Sequence, residues 1–322
     1  MLHFVRRALV AGFALALAAP AALAQTWPAK QIRIIVPYTP GGSSDIIARA
    51  IQQPLQDALK QTVIVENKPG ANGNTGTDFV AKSPPDGYTI LLCDVGALAI
   101  TSSVYSKLPF DPAKDLVGIT MLAYSPHLLV VHPSVAANNL KELVAYSKTG
   151  KLDFAVTAIG SAPHLAGVAV EKATGAKWVY IPYKGGSQAI GDTVAGQTQV
   201  LMNGMLATLP FVQSGKLKVL GVSKSTRVPL LPNVPTIAEQ GVPGFESGTW
   251  QGALLPKGTP PEVVARLNAE LTRIIRSPEV RSRLTAQGAE VYTMTPAEFS
   301  AFFDREQKRW ATVVAAGGVK LD

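Results

Sequence analysis

The sequence predicts an α/β protein with largely parallel sheets, folded as two lobes that face each other across a cleft. Apolar segments with strand character alternate with segments of helical periodicity along the 322-residue chain, a pattern typical of α/β folds. The same order of elements occurs twice, in residues 31–94 and 152–204, with a polar, glycine-rich turn after each of the first two strands. Because ligands of open α/β sheets bind beyond the carboxyl ends of the strands, two such lobes would direct four turns into one cleft.

The N-terminal segment has the pattern of a secretory signal peptide. Arg6 and Arg7 precede an apolar run of about ten residues, and the small residues ALA stand just before Gln25, as in the n-region, h-region and cleavage site of such signals. The apolar run is short for a membrane span. We therefore expect export to the periplasm, with cleavage after Ala24.

Charge and composition exclude several kinds of site. The formal net charge is +8, but the positive charges are dispersed and are not interleaved with aromatic residues, so nucleic-acid binding is not expected. The single cysteine, Cys93, excludes an intramolecular disulfide and a cysteine-based zinc site. Its apolar neighbours, YTILLCD, indicate a buried core thiol. The histidines fit no metal-ligand spacing, and no motif indicates a cofactor.

The turn YTPGGSSD, between the apolar segment IRIIV and the helical pattern DIIARAIQQPLQDALKQ, is the first candidate binding element. A turn between a strand and a helix exposes unpaired backbone amides at the positive end of the helix, where anions bind. It lacks the lysine of a Walker A loop. Asp45 would cap the helix or accept a hydrogen bond within the turn, and a plain turn is the alternative. The expected ligand contacts here are Tyr38, Thr39, Gly41, Gly42, Ser43 and Asp45.

Two turns of the second repeat are the corresponding candidates. IGSAPH places Ser161, the backbone of Ala162 and His164 at the first turn of a helix, where His164 would either bond an anion or only cap and pack. YKGGSQ offers an aromatic ring, a cation and free amides from Tyr183, Lys184, Gly185 and Gly186, unless Lys184 is simply exposed.

The loop GANGNTG is a further candidate element, and the sequence lacks the common catalytic motifs. GANGNTG does not have the spacing of a dinucleotide-binding fingerprint, and its composition suits residues with positive φ in a loop near the site. Neither G-x-S-x-G nor H-E-x-x-H occurs. We therefore expect a binding protein and not an enzyme.

Three segments resemble the Bug-type substrate-binding proteins of tripartite tricarboxylate transporters. They are WPAKQIRIIVPYTPGGSSDIIAR, VIVENKPGANGNTGTDFVAKSPPDGYTILL and PNVPTIAEQGVPGFESGTWQGALLPKGTP. The resemblance implies a two-lobed, type II periplasmic-binding-protein fold with two crossings between the lobes, near Tyr124 and Thr249. It divides the chain into a signal peptide (1–24), a first lobe (25–124 and 250–322) and a second lobe (125–249).

The resemblance also implies a function. Such proteins capture a small carboxylate by Venus-flytrap closure and deliver it to a membrane permease. One carboxylate is held largely by turn amides and water, here at residues 38–43 and 160–164, with residues 183–187 in the same ring. The ligand would be a di- or tricarboxylate or an aromatic carboxylate such as terephthalate, with amino acids and nicotinate-like rings also open. A monomer is expected, because the lobes must move freely.

A few positions bear on the identity of the ligand. Tyr38, Tyr183 and Trp250 would line an aromatic slot, unless Trp250 packs between the lobes. Asn203 stands where many relatives carry Asp, which would suit a second negative group or an uncharged ring. Asp94 stands where many relatives carry small polar residues, so it would bind a ligand amine or hydroxyl.

Two alternatives to the transport receptor belong to other functional classes. The first is a secreted α/β enzyme acting on small carboxylates, with His164 and Asp94 as acid–base candidates. The second is a sensor module that presents the ligand to a signalling partner.

Overall fold

A sheet of ten strands extends through both halves of the molecule. The computed structural model describes residues 27–321, so the predicted signal peptide and its cleavage after Ala24 lie outside the described residues. The strands are β1 (Ile32–Val36), β2 (Val63–Asn67), β3 (Thr89–Asp94), β4 (Leu116–Val131), β5 (Asp153–Val156), β6 (Val179–Pro182), β7 (Val200–Gly204), β8 (Lys218–Val222), β9 (Gly248–Pro256) and β10 (Glu290–Val291).

Helices connect and cover these strands. They are α1 (Ser43–Leu59), α2 (Asn74–Ala81), α3 (Thr101–Val104), α4 (Pro112–Asp115), α5 (Leu140–Ser147), α6 (Ala162–Thr174), α7 (Gly186–Val194), α8 (Met205–Gln213), α9 (Pro261–Arg276), α10 (Pro278–Thr285) and α11 (Pro296–Gly317). A 3-10 turn at Ala71–Gly73 precedes α2, and a π-helical turn at Gly96–Ile100 precedes α3. Within residues 27–321, no helix is both long and apolar enough to cross a membrane.

The sheet has two halves, each with a parallel core. In the first half, β1 lies between β2 and β3 in parallel, and β9 pairs with β3 in the opposite direction. In the second half, β5 lies between β6 and β7 in parallel, and β7 and β8 both pair with the end of β4. We call the half built on β1–β3, β9 and β10 lobe 1, and the half built on β5–β8 lobe 2. The residue limits expected for the lobes stay a prediction.

The 16-residue strand β4 belongs to both lobes. Its first part pairs with β9, and residues Leu128–Val131 pair with β7 and β8. The sequence predicted only the second part, HLLVVHP, as a strand. The first part was not predicted, because two register shifts interrupt its pairing with β9. Much of it is also buried without alternation, so it lacks the period-two pattern of a half-exposed strand.

The lobes are joined where β4 and β9 lie side by side, and His127 bonds across this junction. Its Nε2 lies 2.8 Å from Thr249 Oγ1, its Nδ1 lies 2.9 Å from Ser247 Oγ, and its backbone amide donates to Ser223 Oγ at 2.7 Å. The imidazole is fully buried. Since hydroxyl groups both donate and accept, a neutral imidazole is satisfied on both ring nitrogens.

The C-terminal helix α11 confirms the sequence prediction for that segment. Thr295 and Glu298 form a reciprocal capping box, and the helix ends at Gly318 in the left-handed conformation. Its Phe299 and Phe303 are buried in lobe 1. The prediction for Cys93 is also confirmed, since the thiol is fully buried in the same core.

Acid should weaken the junction at His127. Burial lowers the pKa of this imidazole to about 3, whereas a histidine in an unfolded chain titrates near about 6.5. Between these values the unfolded chain binds a proton that the folded protein does not. The stability contributed by the neutral His127 is therefore complete above about pH 6.5, and it falls by up to about 1.4 kcal/mol per pH unit below that.

The measurement is urea unfolding of the wild type and of His127→Asn at pH values from 7.5 to 4.5. The difference in unfolding free energy between the two proteins should shrink steadily in acid, because only the wild type carries the buried imidazole. His132→Asn, in which the lost imidazole is partly exposed and bonds to Ser134, is the control. A difference for His127→Asn that stays constant with pH would contradict the expectation.

Candidate functional site

A cavity of about 30 Å³ lies between the lobes, beyond the carboxyl ends of the strands. The lining residues are Tyr38, Gly42, Ser43, Ser44, Asn72, Asp94, Val95, Gly96, Thr157, Ser161, Ala162, Pro163, Gly186, Asn203, Gly204 and Thr249. These described residues include one carboxylate, Asp94, and no lysine, arginine or histidine.

Three helices begin at this cavity, one from lobe 1 and two from lobe 2. Helix α1 starts after Gly42, α6 after Ser161 and α7 after Gly185. The first amides of a helix have no partner within the helix, and the macrodipole places partial positive charge at this end. The convergence of three such ends makes the cavity suited to a negatively charged group.

Asp45 fixes the turn before α1. Its carboxylate accepts hydrogen bonds of 2.9 Å from Gly41 N, from Arg49 Nε and from Asn67 Nδ2. Burial alone would raise the pKa of the Asp45 carboxyl, but these bonds lower it below its usual value. Asp45 therefore accepts within the turn, one of its two predicted roles, and does not line the cavity. Gly41 itself adopts φ of 85°, which glycine adopts at little cost.

The wall from lobe 2 is built around the start of α6. The Ser161 hydroxyl donates to Ala158 O at 2.7 Å and accepts from the amide of His164 at 3.4 Å. His164 Nδ1 accepts from Gly160 N at 3.1 Å, and the ring lies edge-on to Tyr180. Burial lowers the pKa of His164 to about 4, so at neutral pH it shapes the loop as an uncharged residue.

Asp94 ends strand β3 at the floor of the cavity. Its Oδ1 accepts from the Tyr38 hydroxyl at 2.5 Å and from Gly96 N at 2.8 Å. Burial raises the pKa of the Asp94 carboxyl to about 6, although both hydrogen bonds act in the opposite direction. Across the cavity, Asn203 Nδ2 donates to Thr208 Oγ1 at 3.3 Å.

The lobes touch each other around the cavity. Thr39 Oγ1 lies 2.8 Å from Ser187 Oγ, and Asn72 Nδ2 donates to Gly160 O at 3.4 Å. A Cβ atom on Gly185 would lie 2.0 Å from Thr39 Oγ1. The lobes are thus closed against each other, and a ligand larger than the cavity can enter only after they separate.

Half of the predicted site residues line this cavity, namely Tyr38, Gly42, Ser43, Asp94, Ser161, Ala162, Gly186 and Asn203. Thr39 and Gly185 lie where the lobes touch. Tyr183 does not form part of the lining, because its hydroxyl donates to Asp192 at 2.8 Å. Lys184 is exposed, which was the alternative considered for it.

The structure places Trp250 away from the cavity. In the pairing of β3 with β9, Asp94 lies opposite Gln251, and paired residues project to the same face of a sheet. Trp250, one residue away, therefore projects to the opposite face. There its Nε1 donates to Glu306 at 2.8 Å and its ring packs against Phe302 of α11. Trp250 does not line the cavity, and its cluster of buried residues combines lobe 1 residues with Ala162 and Leu165 of α6.

Several lining residues were missed by the sequence analysis. Thr157 and Gly96 follow the ends of β5 and β3, and Thr249 begins the return through β9. The rule that ligands bind beyond strand ends would have found the first two. Asn72, from the loop GANGNTG, adopts φ of 55°. The loop was noted, but no sequence signal identified which of its side chains faces the cavity.

The chain matches a known family over most of its length. A family model described as "Tripartite tricarboxylate transporter family receptor" matches residues 47–319. Protein BugT of Bordetella pertussis is 39% identical over 308 residues, covering 95% of this chain and 94% of that protein.

Solved structures are similar in fold as well as in sequence. The periplasmic binding protein BugD is 34% identical with a TM-score of 0.88, covering 91% of this chain and 99% of that one. An R. palustris protein solved with adipate is 32% identical with a TM-score of 0.88, covering 91% and 99%. MatC from Rhodopseudomonas palustris, solved with malate, is 30% identical with a TM-score of 0.85, covering 89% and 100%. These likenesses confirm the predicted two-lobed fold.

The placement of Trp250 predicts a purely structural cost when it is replaced. Trp250→Phe should lower the unfolding free energy by roughly 1–2 kcal/mol, because a buried hydrogen bond to a charged group is lost. Trp27→Phe is the control, since the indole nitrogen of Trp27 is buried without a partner among the described residues. Urea unfolding at pH 7.5 measures both. An unchanged free energy for Trp250→Phe, as for an indole facing an open cleft, would contradict this placement.

Proposed function

The chain belongs to the tripartite tricarboxylate transporter receptor family, and from this premise we propose that it captures a small carboxylate between its lobes and delivers it to a transporter permease. The observation that carries the proposal is the convergence of three helix N-termini on one closed cavity between the lobes. Backbone amides and hydroxyls can hold a carboxylate there without a cationic side chain.

The magnitudes are sufficient for a useful affinity. A hydrogen bond to a charged group contributes about 1.5–3 kcal/mol, and a helix terminus adds about 0.3–1 kcal/mol. Micromolar binding requires about −8 kcal/mol in total. Four or five such contacts reach this range after the costs of immobilising the ligand and closing the lobes.

We propose that the lobes open and close about the junction of β4 and β9. The resemblance implies crossings near Tyr124 and Thr249, and the pairing of the β4 and β9 segments that contain these residues supports the proposal. Closure forms the contacts between Thr39 and Ser187 and between Asn72 and Gly160. A ligand that binds the closed arrangement more tightly shifts the population towards it, and the closed surface is the one a permease would recognise.

The ligand class follows from the relatives and from the cavity. Similar proteins solved with adipate and with malate support a dicarboxylate. The proposal extends to a tricarboxylate and to an aromatic carboxylate such as terephthalate. The signal-peptide pattern and the family together support a periplasmic location. We propose a monomer, in which both lobes are free to move.

A carboxylate-transforming enzyme is supported less well. Its predicted acid–base pair was His164 and Asp94, but His164 does not line the cavity and its Nδ1 already accepts from a backbone amide. Within residues 27–321, no group of three His, Cys, Asp or Glu residues is placed to hold a metal ion. We therefore propose binding without turnover.

The experiment is thermal unfolding of residues 25–322, first unfolded and refolded to remove co-purified ligand, against a panel of carboxylates and their amides. We expect a concentration-dependent rise in melting temperature for at least one carboxylate and none for its amide, because only ligands of the native state stabilise it. Incubation of that carboxylate with the protein, followed by mass spectrometry, should return it unchanged. Shifts with amides alone, or chemical conversion, would contradict the proposal.

Closure predicts a separate effect for Gly185→Ala. The backbone of Gly185 is extended, with φ of 170°, so alanine causes no backbone strain, but its Cβ would lie 2.0 Å from Thr39 Oγ1 in the closed arrangement. Affinity for the carboxylate should fall at least tenfold, while the melting temperature without ligand stays close to that of the wild type. Isothermal titration calorimetry measures the affinity.

Gly191→Ala is the matched control, because Gly191 lies in α7, the helix that starts after Gly185, and an added Cβ there meets nothing within 4 Å. This change should leave the affinity unaltered and slightly raise the stability, since alanine favours helices over glycine. Equal affinities for the two variants would contradict the closure account.

A further inference from the structure

One side chain in the cavity has an unused hydrogen-bond acceptor. Asn72 is 6% exposed, and its Oδ1 is buried without a partner among the described residues. Its Nδ2 donates to the carbonyl of Gly160, so the amide oxygen is the atom directed elsewhere. Leaving a buried acceptor unpaired costs about 1–3 kcal/mol.

A second acceptor lies beside it. A Cβ atom on Gly96 would lie 3.2 Å from Asn72 Oδ1, 3.0 Å from Asp94 Oδ1 and 3.4 Å from the Tyr38 hydroxyl. Gly96, Asn72 and Asp94 all line the cavity. Asn72 Oδ1 and Asp94 Oδ1 therefore both lie beside Gly96, at the lobe 1 wall of the cavity.

This wall does not suit a carboxylate alone. A carboxylate only accepts hydrogen bonds, so it cannot satisfy Asn72 Oδ1. The anionic Asp94 would also repel it, and the described lining supplies no cationic side chain as compensation. A donor group on the ligand, in addition to its acid group, can pair with Asn72 Oδ1 directly.

Granted the receptor function proposed above, we propose that the ligand is a carboxylate that also carries an ammonium or hydroxyl group, which donates to Asn72 and Asp94. The helix N-termini hold the acid group, and the Asn72–Asp94 wall selects for the donor. Selection of this kind is strong, because a ligand without the donor leaves the buried Asn72 Oδ1 unpaired.

The groups around Asp94 are neutral in the physiological pH range, so Asp94 is the group there whose charge can change. Tyr38 contacts it from the turn after β1, and Cys93 precedes it on β3. Burial raises the pKa of both Tyr38 and Cys93 well above their usual values, so they stay neutral. Asn72 and Thr249, from the other lining elements, carry no charge.

Matched ligand series test the proposal by isothermal titration calorimetry at pH 7.5. One series is succinate, malate and aspartate, and the others are glutarate, 2-hydroxyglutarate and glutamate, then benzoate and its hydroxy derivatives. In at least one series, a donor-bearing member should bind at least tenfold more tightly than its parent.

The variant Asp94→Asn removes the charge with little structural change, because an amide oxygen can still accept from Tyr38 and from Gly96 N. It should lower the affinity for ammonium-bearing ligands at least tenfold. It should raise the affinity for the parent carboxylates, which no longer meet a negative charge. Asp57→Asn, which removes an exposed charge on α1, is the matched control and should change neither affinity.

Asn72→Gly tests the other acceptor, since glycine accepts the left-handed φ at this position. It should lower the affinity for donor-bearing ligands more than the affinity for their parents.

The pH dependence of ligand affinity is an independent test of the role of Asp94. In the wild type, parent carboxylates should bind more tightly as the pH falls through about 6 and Asp94 becomes neutral, whereas ammonium-bearing ligands should bind more tightly as the pH rises through it. Asp94→Asn should abolish both trends. Parents that bind as tightly as their derivatives, with no opposite response in Asp94→Asn, would overturn this inference and leave the receptor function intact. Failure of every carboxylate to bind would overturn both.

Discussion

Backbone amides at the starts of three helices are the groups on which the proposed function depends. They come from both lobes, and they are brought together because each follows the carboxyl end of a parallel strand. The lining residues carry no cationic side chain, so the favourable field for an anion comes from fixed peptide dipoles. Asp45 illustrates the supporting structure, since its buried carboxylate holds the turn that aims the α1 amides.

The junction of β4 and β9 sets how these amides can move relative to one another. Because β4 pairs with strands of both lobes, the lobes cannot separate without bending this strand. His127 fills the junction as a neutral, fully bonded residue, so the polar network there needs no charge. In the cavity, Asp94 is the one carboxylate among the lining residues, and we propose that its charge selects the ligand.

The sequence was informative where chemistry is local. The turn before α1, the helix start near Ser161 and the C-terminal helix were predictable, because glycine, serine and proline specify backbone geometry over a few residues. Trp250 was not, since its face depends on the register between β3 and β9, which no local pattern encodes. The first part of β4 was hidden by register shifts and two-sided burial. Asn72 was hidden because only the fold shows which atoms in its loop lack partners.

A crystal structure of the complex with the carboxylate that most raises the melting temperature tests the central claim most directly. The account predicts carboxylate oxygens within hydrogen-bond distance, about 2.7–3.2 Å, of backbone amides at the starts of α1, α6 and α7, with the lobes closed around them. A carboxylate paired instead with a lysine or arginine side chain, or bound outside the cavity between the lobes, would contradict it.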